Sequence, residues 1–247
     1  MIEFRGLVKS FGDHRVLDRI DLAIRDHEIT YIIGTSGTGK SVLVQHAVGL
    51  LRPDEGRVLI EGRDVTDLPE RDWWEVRRRY VLVFQHSTLF DSMTLRDNVA
   101  LPLRKHLKLP RREALARAMD FLRLVHMDPL ADRMPSEVGP TERKRVAIAR
   151  ALSLSPRGTI LDEPTTGLDV VASHEVDDLI RRLSREMGQT VVVVSHDLRS
   201  IFGVADRIVF LYKGSIRLDG PPEAFRSSGD PVVQQFIRGE PDGPIEE

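Results

Sequence analysis

The chain has 247 residues, 41% of them hydrophobic and 30% charged, with 36 Lys and Arg against 38 Asp and Glu. That length suits one large domain or two small lobes, and a net charge of −2 gives no electrostatic case for a nucleic-acid binder. With no cysteine, disulfides, thiolate zinc sites and cysteine-ligated clusters are excluded. The opening MIEFRGLVKSFG lacks the apolar region of a signal peptide. No apolar run approaches the roughly 20 residues of a membrane span, so the chain is expected to be soluble and to meet a membrane only through a partner.

Apolar alternation places strands at Ile2–Phe4 and Ile20–Ile24. Glu28–Ile33 reads as a short buried strand ending in a glycine loop, and Lys40–Gly49 has helical spacing. Pro53-Asp54-Glu55-Gly56 is a turn, followed by a strand at Arg57–Ile60, a helix at Asp72–Arg79 and a buried strand at Tyr80–Phe84. From His86 to Leu154 the texture becomes helix-rich and basic, with Arg111–Val125 amphipathic. Strands return at Thr159–Leu161, Thr190–Val194 and Arg207–Tyr212, separated by helices at Val170–Met187 and Asp197–Val204. Lys213-Gly214 is a turn signal, and the Gly-, Pro- and acid-rich tail from Gln235 is expected to be irregular. Short β-branched strands alternating with helices predict a parallel α/β sheet, with the helical stretch as an inserted lobe.

Gly34-Thr35-Ser36-Gly37-Thr38-Gly39-Lys40-Ser41 fits G-x-x-x-x-G-K-[ST], a pattern that average composition produces about once in a hundred chains of this length. A strand precedes it and a helix follows. Glycines let backbone N–H groups close around phosphate, and the helix N-terminus adds its dipole. Lys40 is placed to reach the β- and γ-phosphates, and the Ser41 hydroxyl to ligate Mg²⁺. A bland βα turn has no need of Lys-Ser at those positions.

Thr159-Ile160-Leu161-Asp162-Glu163-Pro164 is an apolar strand ending in two acids. Alone, the pair reads as solvated strand-end charges. Downstream of a phosphate loop, Asp162 fits a Mg²⁺ ligand and Glu163 a base that orients or deprotonates water. His196 and Gln85 also follow strands, where open α/β sheets bind ligands. The other histidines, His14, His27, His46, His86, His106, His126 and His174, read as structural or solvated.

Taken in order, these residues resemble the ATP-binding cassette subunit of an ABC transporter, over nearly the whole chain. Lys9-Ser10-Phe11-Gly12 resembles the aromatic loop, with Phe11 against adenine, although a Tyr is commoner there and Phe11 also suits a core position. Gly34–Ser41 is the Walker A loop, Gln85 the Q-loop glutamine and a further Mg²⁺ ligand, and Asp162 with Glu163 the Walker B pair. Thr166-Gly167-Leu168-Asp169 resembles the D-loop, with Asp169 at the dimer seam, and His196 is the switch histidine. The implied fold is a RecA-like P-loop core with a mainly parallel sheet, an N-terminal antiparallel part and an inserted helical subdomain. Residues 1–86 and 155–222 would form the core, 87–154 the helical subdomain and 223–247 a C-terminal extension.

Two further stretches resemble the ATPases of Mla-type phospholipid systems that work with MCE-domain proteins. One is Leu89–Thr94 leading into Asp97–Leu103; the other is Asp230–Ile237 followed by Pro241-Asp242-Gly243-Pro244. The resemblance implies a Mg²⁺-dependent ATPase that powers lipid transport. Its partners would be a second ATPase subunit, identical or different, a separate transmembrane permease and an MCE-domain lipid-binding protein. The chain would sit on the cytoplasmic face of the inner or plasma membrane. The alternative is a non-transport ABC protein, an ATP-gated clamp or a regulator.

One motif departs from the family. Counting back from Arg145-Val146-Ala147-Ile148-Ala149-Arg150 without a gap, Val138-Gly139-Pro140-Thr141-Glu142 stands where Leu-Ser-Gly-Gly-Gln is expected. Gly139 offers no hydroxyl and Pro140 no N–H. Thr141 brings a β-branched side chain, whereas Glu142 occupies a variable position. The helix start itself is sound, with Gly139 as N-cap and Pro140 at N1. Three readings stay open: neutral variation in a working homodimer, a slow or regulated ATPase, and pairing with a cassette that supplies an intact signature.

Overall fold

Five consecutive residues, Ile29–Ile33 (β3), are fully buried, and all but Thr30 are apolar or aromatic. Such a strand belongs in the interior of a sheet covered on both faces. The computed structural model, which describes residues 1–245, puts it there. Two strands that precede it in sequence and two that follow make a separate antiparallel sheet: β1 (Ile2–Phe11), β2 (His14–Ile24), β4 (Glu55–Ile60) and β5 (Arg63–Asp64), in the order β2-β1-β4-β5. The second sheet contains β3 with β6 (Tyr80–Val83), β7 (Gly158–Asp162), β8 (Thr190–Val194), β9 (Arg207–Tyr212) and β10 (Ser215–Gly220), in the order β10-β9-β3-β8-β7-β6. Its neighbours are parallel except β9 and β10.

The residues of β3 divide between two cores. Ile32 faces the antiparallel sheet together with Val192, Val194 and Val209, and Leu43 and Val44 of α1 (Lys40–Ala47) fill the space between. Ile29, Tyr31 and Ile33 face the other way, toward α6 (Val170–Arg185) and α7 (Leu198–Val204). The helical lobe is α3 (Leu95–His106), α4 (Arg111–Leu124) and α5 (Pro140–Leu152), joined through Leu95, Val99, Ala118, Leu122, Val146 and Ile148. The remaining helices are α2 (Trp73–Arg79), α8 (Pro222–Arg226) and α9 (Pro231–Arg238).

Three sequence expectations need correction. The first two strands run to 10 and 11 residues rather than two short pieces. Register shifts after Phe4, Leu7 and Lys9 break the apolar alternation while pairing continues, as β-bulges do. Second, a strand follows Lys213-Gly214: β10 alternates exposed and half-buried residues at the sheet edge, with no apolar stripe to announce it. Third, the tail is not irregular from Gln235. Helix α9 continues to Arg238 and stops at Gly239, whose φ of 64° ends the helix in the left-handed region. Buried Gln235 accepts from the Ile245 N–H at 2.7 Å, and the Tyr212 hydroxyl donates to the Pro244 carbonyl at 3.3 Å. Residues 246 and 247, part of the expected C-terminal extension, lie outside the described residues.

Candidate active site

The sheet order lines up the predicted residues. Because β3, β8, β7 and β6 are parallel neighbours, their carboxyl ends deliver the glycine loop, His196, the Asp162-Glu163 pair and Gln85 along one edge. That edge is where open α/β sheets bind ligands.

The glycine loop needs glycine for two separate reasons. At Gly34 a Cβ would lie 2.4 Å from the Leu211 carbonyl oxygen, so the loop leaves β3 too close to β9 for a side chain. At Gly39 the backbone is left-handed (φ 93°), and a Cβ would meet Leu17 at 2.7 Å. The loop therefore rests on β2 as well as β3. The Lys40 ammonium folds back over it and donates to the carbonyls of Gly34 (2.9 Å) and Thr35 (2.8 Å). Burial holds Lys40 below the usual lysine range, opposed by the charges of Glu163 and Asp162. Lys40 is thus a partly desolvated cation at the N-terminus of α1, suited to an anionic ligand.

Ser41, the next residue, donates its hydroxyl proton to Asp162 Oδ1 at 3.0 Å, a contact from the first turn of α1 to the end of β7. Burial pushes the Asp162 carboxyl above its usual range and the nearby Glu163 charge adds to this, while the Ser41 hydrogen bond and Lys40 oppose it. Two buried carboxylates here meet two buried ammoniums, Lys40 beside both and Lys144 beside Glu163, and the hard oxygen donors of Asp162 and Ser41 are the kind that Mg²⁺ takes. Among the described residues no cluster of three or more His, Cys, Asp or Glu could hold a metal alone.

Glu163 occupies a left-handed backbone position (φ 51°), strained for a residue with a side chain. Several bonds hold it there. Its N–H donates to Val194 at 2.9 Å. Its carboxylate accepts from the Thr166 hydroxyl at 2.8 Å and from His196 Nδ1 at 2.9–3.1 Å. His196 is otherwise exposed, so the pair points an oriented carboxylate and an imidazole toward the outer face of the site.

Phe11 is 48% exposed at the tip of the β1–β2 hairpin, so it is not a core residue. Gln85 is exposed just beyond β6. Asp169 caps α6, accepting from the Ala172 N–H at 2.9 Å, and exposed Val170 and Val171 follow it. In the divergent loop, Gly139 is the N-cap of α5 and Pro140 stands at N1. Thr141 and Glu142 are half-buried, and the Glu142 carboxylate lies over Gly139, 2.7 Å from where a Cβ would be.

Residues 17–166 match the family model of the ABC transporter. The chain belongs to the ABC transporter family. It is 37% identical over 244 residues to a probable ribonucleotide transport ATP-binding protein of Mycobacterium leprae, covering 99% of this chain and 70% of that one. It is 36% identical over 247 residues to the intermembrane phospholipid transport system ATP-binding protein of Haemophilus influenzae, covering 99% and 93%. A dimeric ATP-binding cassette bound to ADP and Pi superposes with a TM-score of 0.84 at 30% identity, over 90% of this chain and 99% of that one. This ABC protein is therefore an ATP-binding and ATP-hydrolysing transporter subunit that acts with a membrane permease. Among the described residues no helix is long and apolar enough to cross a membrane.

Two contributors escaped the sequence. Asn98, fully buried in α3, donates to the carbonyls of Phe90, Met93 and Thr94 and accepts from the Phe90 N–H at 2.8 Å, fastening the loop beyond Gln85. Lys144 is buried in α5. A helical wheel exposes the second: Lys144 shares a face with Ala147 and Ile148, where a lysine is out of place.

Proposed function

We propose that this chain powers phospholipid movement, as one of two ATPase subunits on a separate permease that works with an MCE-domain protein. The observation that carries the lipid reading is the extent of the phospholipid-system match, 93% of that relative against 70% of the one named for ribonucleotide transport and 60% and 66% of relatives named for methionine and sulfate import. It includes the α9 tail that the sequence resemblance singled out.

In this reading Lys40 and the loop N–H groups bind the β- and γ-phosphates of ATP, and Phe11 takes the adenine. Ser41, Asp162 and Gln85 would hold Mg²⁺, which neutralises phosphate charge when bound. Glu163 orients and deprotonates the attacking water, and His196 fixes its carboxylate and faces the γ-phosphate. Asp169, Val170 and Val171 lie at the seam with the second subunit. Residues Gly139–Glu142 face that subunit's nucleotide.

Motion reaches the permease through a groove between the sheet core and the helical lobe. Its cavity of about 290 Å³ is lined by Leu50, Val83, Phe84, Pro102, His106 and Arg150 among others. An exposed apolar wall with basic rims suits a short amphipathic helix. The test is purification of the chain from detergent-solubilised membranes of its own cells. Recovery of a permease, an MCE-domain protein and phospholipid-stimulated ATPase activity is expected. Recovery without any membrane protein would favour the clamp alternative, and stimulation by another solute would overturn the lipid reading.

A further inference from the structure

The second turn of α5 carries Lys144, 7% exposed. A buried ammonium is costly unless its donors are used, and a methionine would fill the same space without that cost. Burial holds Lys144 below the usual lysine range, opposed by the Glu163 charge. Its ammonium donates to two backbone carbonyls, Glu163 at 3.0 Å and Thr166 at 3.0 Å.

Those two carbonyls belong to the first and last residues of the turn that seats the base. Thr166 at one end supplies the hydroxyl that Glu163 at the other accepts. Glu163 is also the strained residue of the turn, and a strained seat persists only when its surroundings over-determine it. The next residue, Arg145, forms an ion pair with Glu175 on α6. Consecutive residues of α5 thereby grip the segment from Glu163 to Glu175 at both ends.

We propose that Lys144 is a positioning residue that ties the seat of Glu163 to α5, so that the base follows the loop Gly139–Thr141 at the head of the same helix. That loop faces the second subunit's nucleotide, whereas Glu163 serves its own. Lys144 is then a direct mechanical link between the two sites. The inference rests on Glu163 being the base, and the test separates the two.

Turnover would be measured in the assembled complex for wild type, Lys144→Met, Glu163→Gln and the double variant, with ATP affinity measured in parallel. The expectation for Lys144→Met is a kcat lower by about 10- to 100-fold, the scale of a misplaced catalytic group, with ATP affinity within about two-fold. The double variant should be no slower than Glu163→Gln, because residues acting as one unit are non-additive. Full turnover in Glu163→Gln would overturn the base itself. An inactive Glu163→Gln beside a Lys144→Met of normal kcat would overturn only the role of Lys144. Equal losses in affinity and kcat, or losses that multiply in the double variant, would make Lys144 merely structural and also overturn it. Should Lys144→Met not fold, Lys144→Gln, which keeps one donor, decides by the same split between kcat and affinity.

Discussion

Replacing Gly139-Pro140-Thr141 by Ser-Gly-Gly should raise ATP turnover. The gain follows from what the loop lacks. A serine hydroxyl at 139 and an N–H at 140 are two donors for a γ-phosphate, each worth about 1.5–3 kcal/mol as a charge-assisted hydrogen bond. Realised together at the transition state, roughly 3–6 kcal/mol corresponds to about 10²- to 10⁴-fold in rate. Two structural costs reduce this. A Cβ at 139 would lie 2.7 Å from the Glu142 carboxylate, so that side chain must rotate away. Glycine in place of Pro140 at N1 loses a preset φ, roughly 1 kcal/mol. Helix α5 tolerates that loss because Val146, Ile148 and Leu152 are fully buried. The assay is ATP turnover by the assembled complex at saturating Mg-ATP. The expected outcome is a rise of about tenfold or more, with the ATP affinity of the isolated chain unchanged because Gly34–Ser41 is untouched. Unchanged turnover in a folded variant would refute the deficient-clamp reasoning and leave the loop as neutral variation.

Leu50→Asp, which puts a charge into the apolar wall of the groove, should abolish recovery of the chain with its permease in a pull-down while leaving ATP binding intact. His46 gives a pH test. Burial holds its ring below the ordinary value of 6.5, so the unfolded chain binds the extra proton. Its contribution to stability is complete above about 6.5 and lost as pH falls toward the folded value. Thermal melts from pH 7.5 to 5.5 should therefore lose a downward slope in His46→Leu. Asp177, in the buried chain Tyr31–Ser200–Asp177, behaves oppositely. Burial raises its carboxyl above the ordinary value of 3.8, so its stabilisation is present below 3.8 and lost as pH rises through the folded value. Asp177→Asn should raise the melting temperature more at pH 7.5 than at pH 4.

Much of the site was legible because its chemistry lies in short contiguous segments. Gly34–Ser41, Asp162-Glu163 and His196 each follow an apolar strand, and parallel pairing of β3, β8 and β7 brings them together without further instruction. What pairs across the fold was not legible. Lys144 meets carbonyls 19 and 22 residues away, and carbonyls leave no trace in side-chain pattern. The length of β1 and β2 was hidden by bulges that reset the alternation, and β10 by its half-exposed edge position. Phe11 suited either core or ligand in sequence, and its exposure at the hairpin tip removes the core reading. In the divergent loop the sequence read the helix start correctly, because Gly at N-cap and Pro at N1 are local preferences. It did not show Glu142 folded over Gly139, which is a side-chain packing outcome.

The most direct test of the catalytic assignment is ATP hydrolysis by the assembled complex with Glu163→Gln. Gln keeps the size and the Thr166 hydrogen bond but cannot take a proton. Turnover should fall by about 10²- to 10⁴-fold, with ATP affinity within about two-fold of wild type because Lys40, Ser41 and Asp162 remain. Hydrolysis at the wild-type rate would contradict the assignment of Glu163 as the base and, with it, the role given to His196.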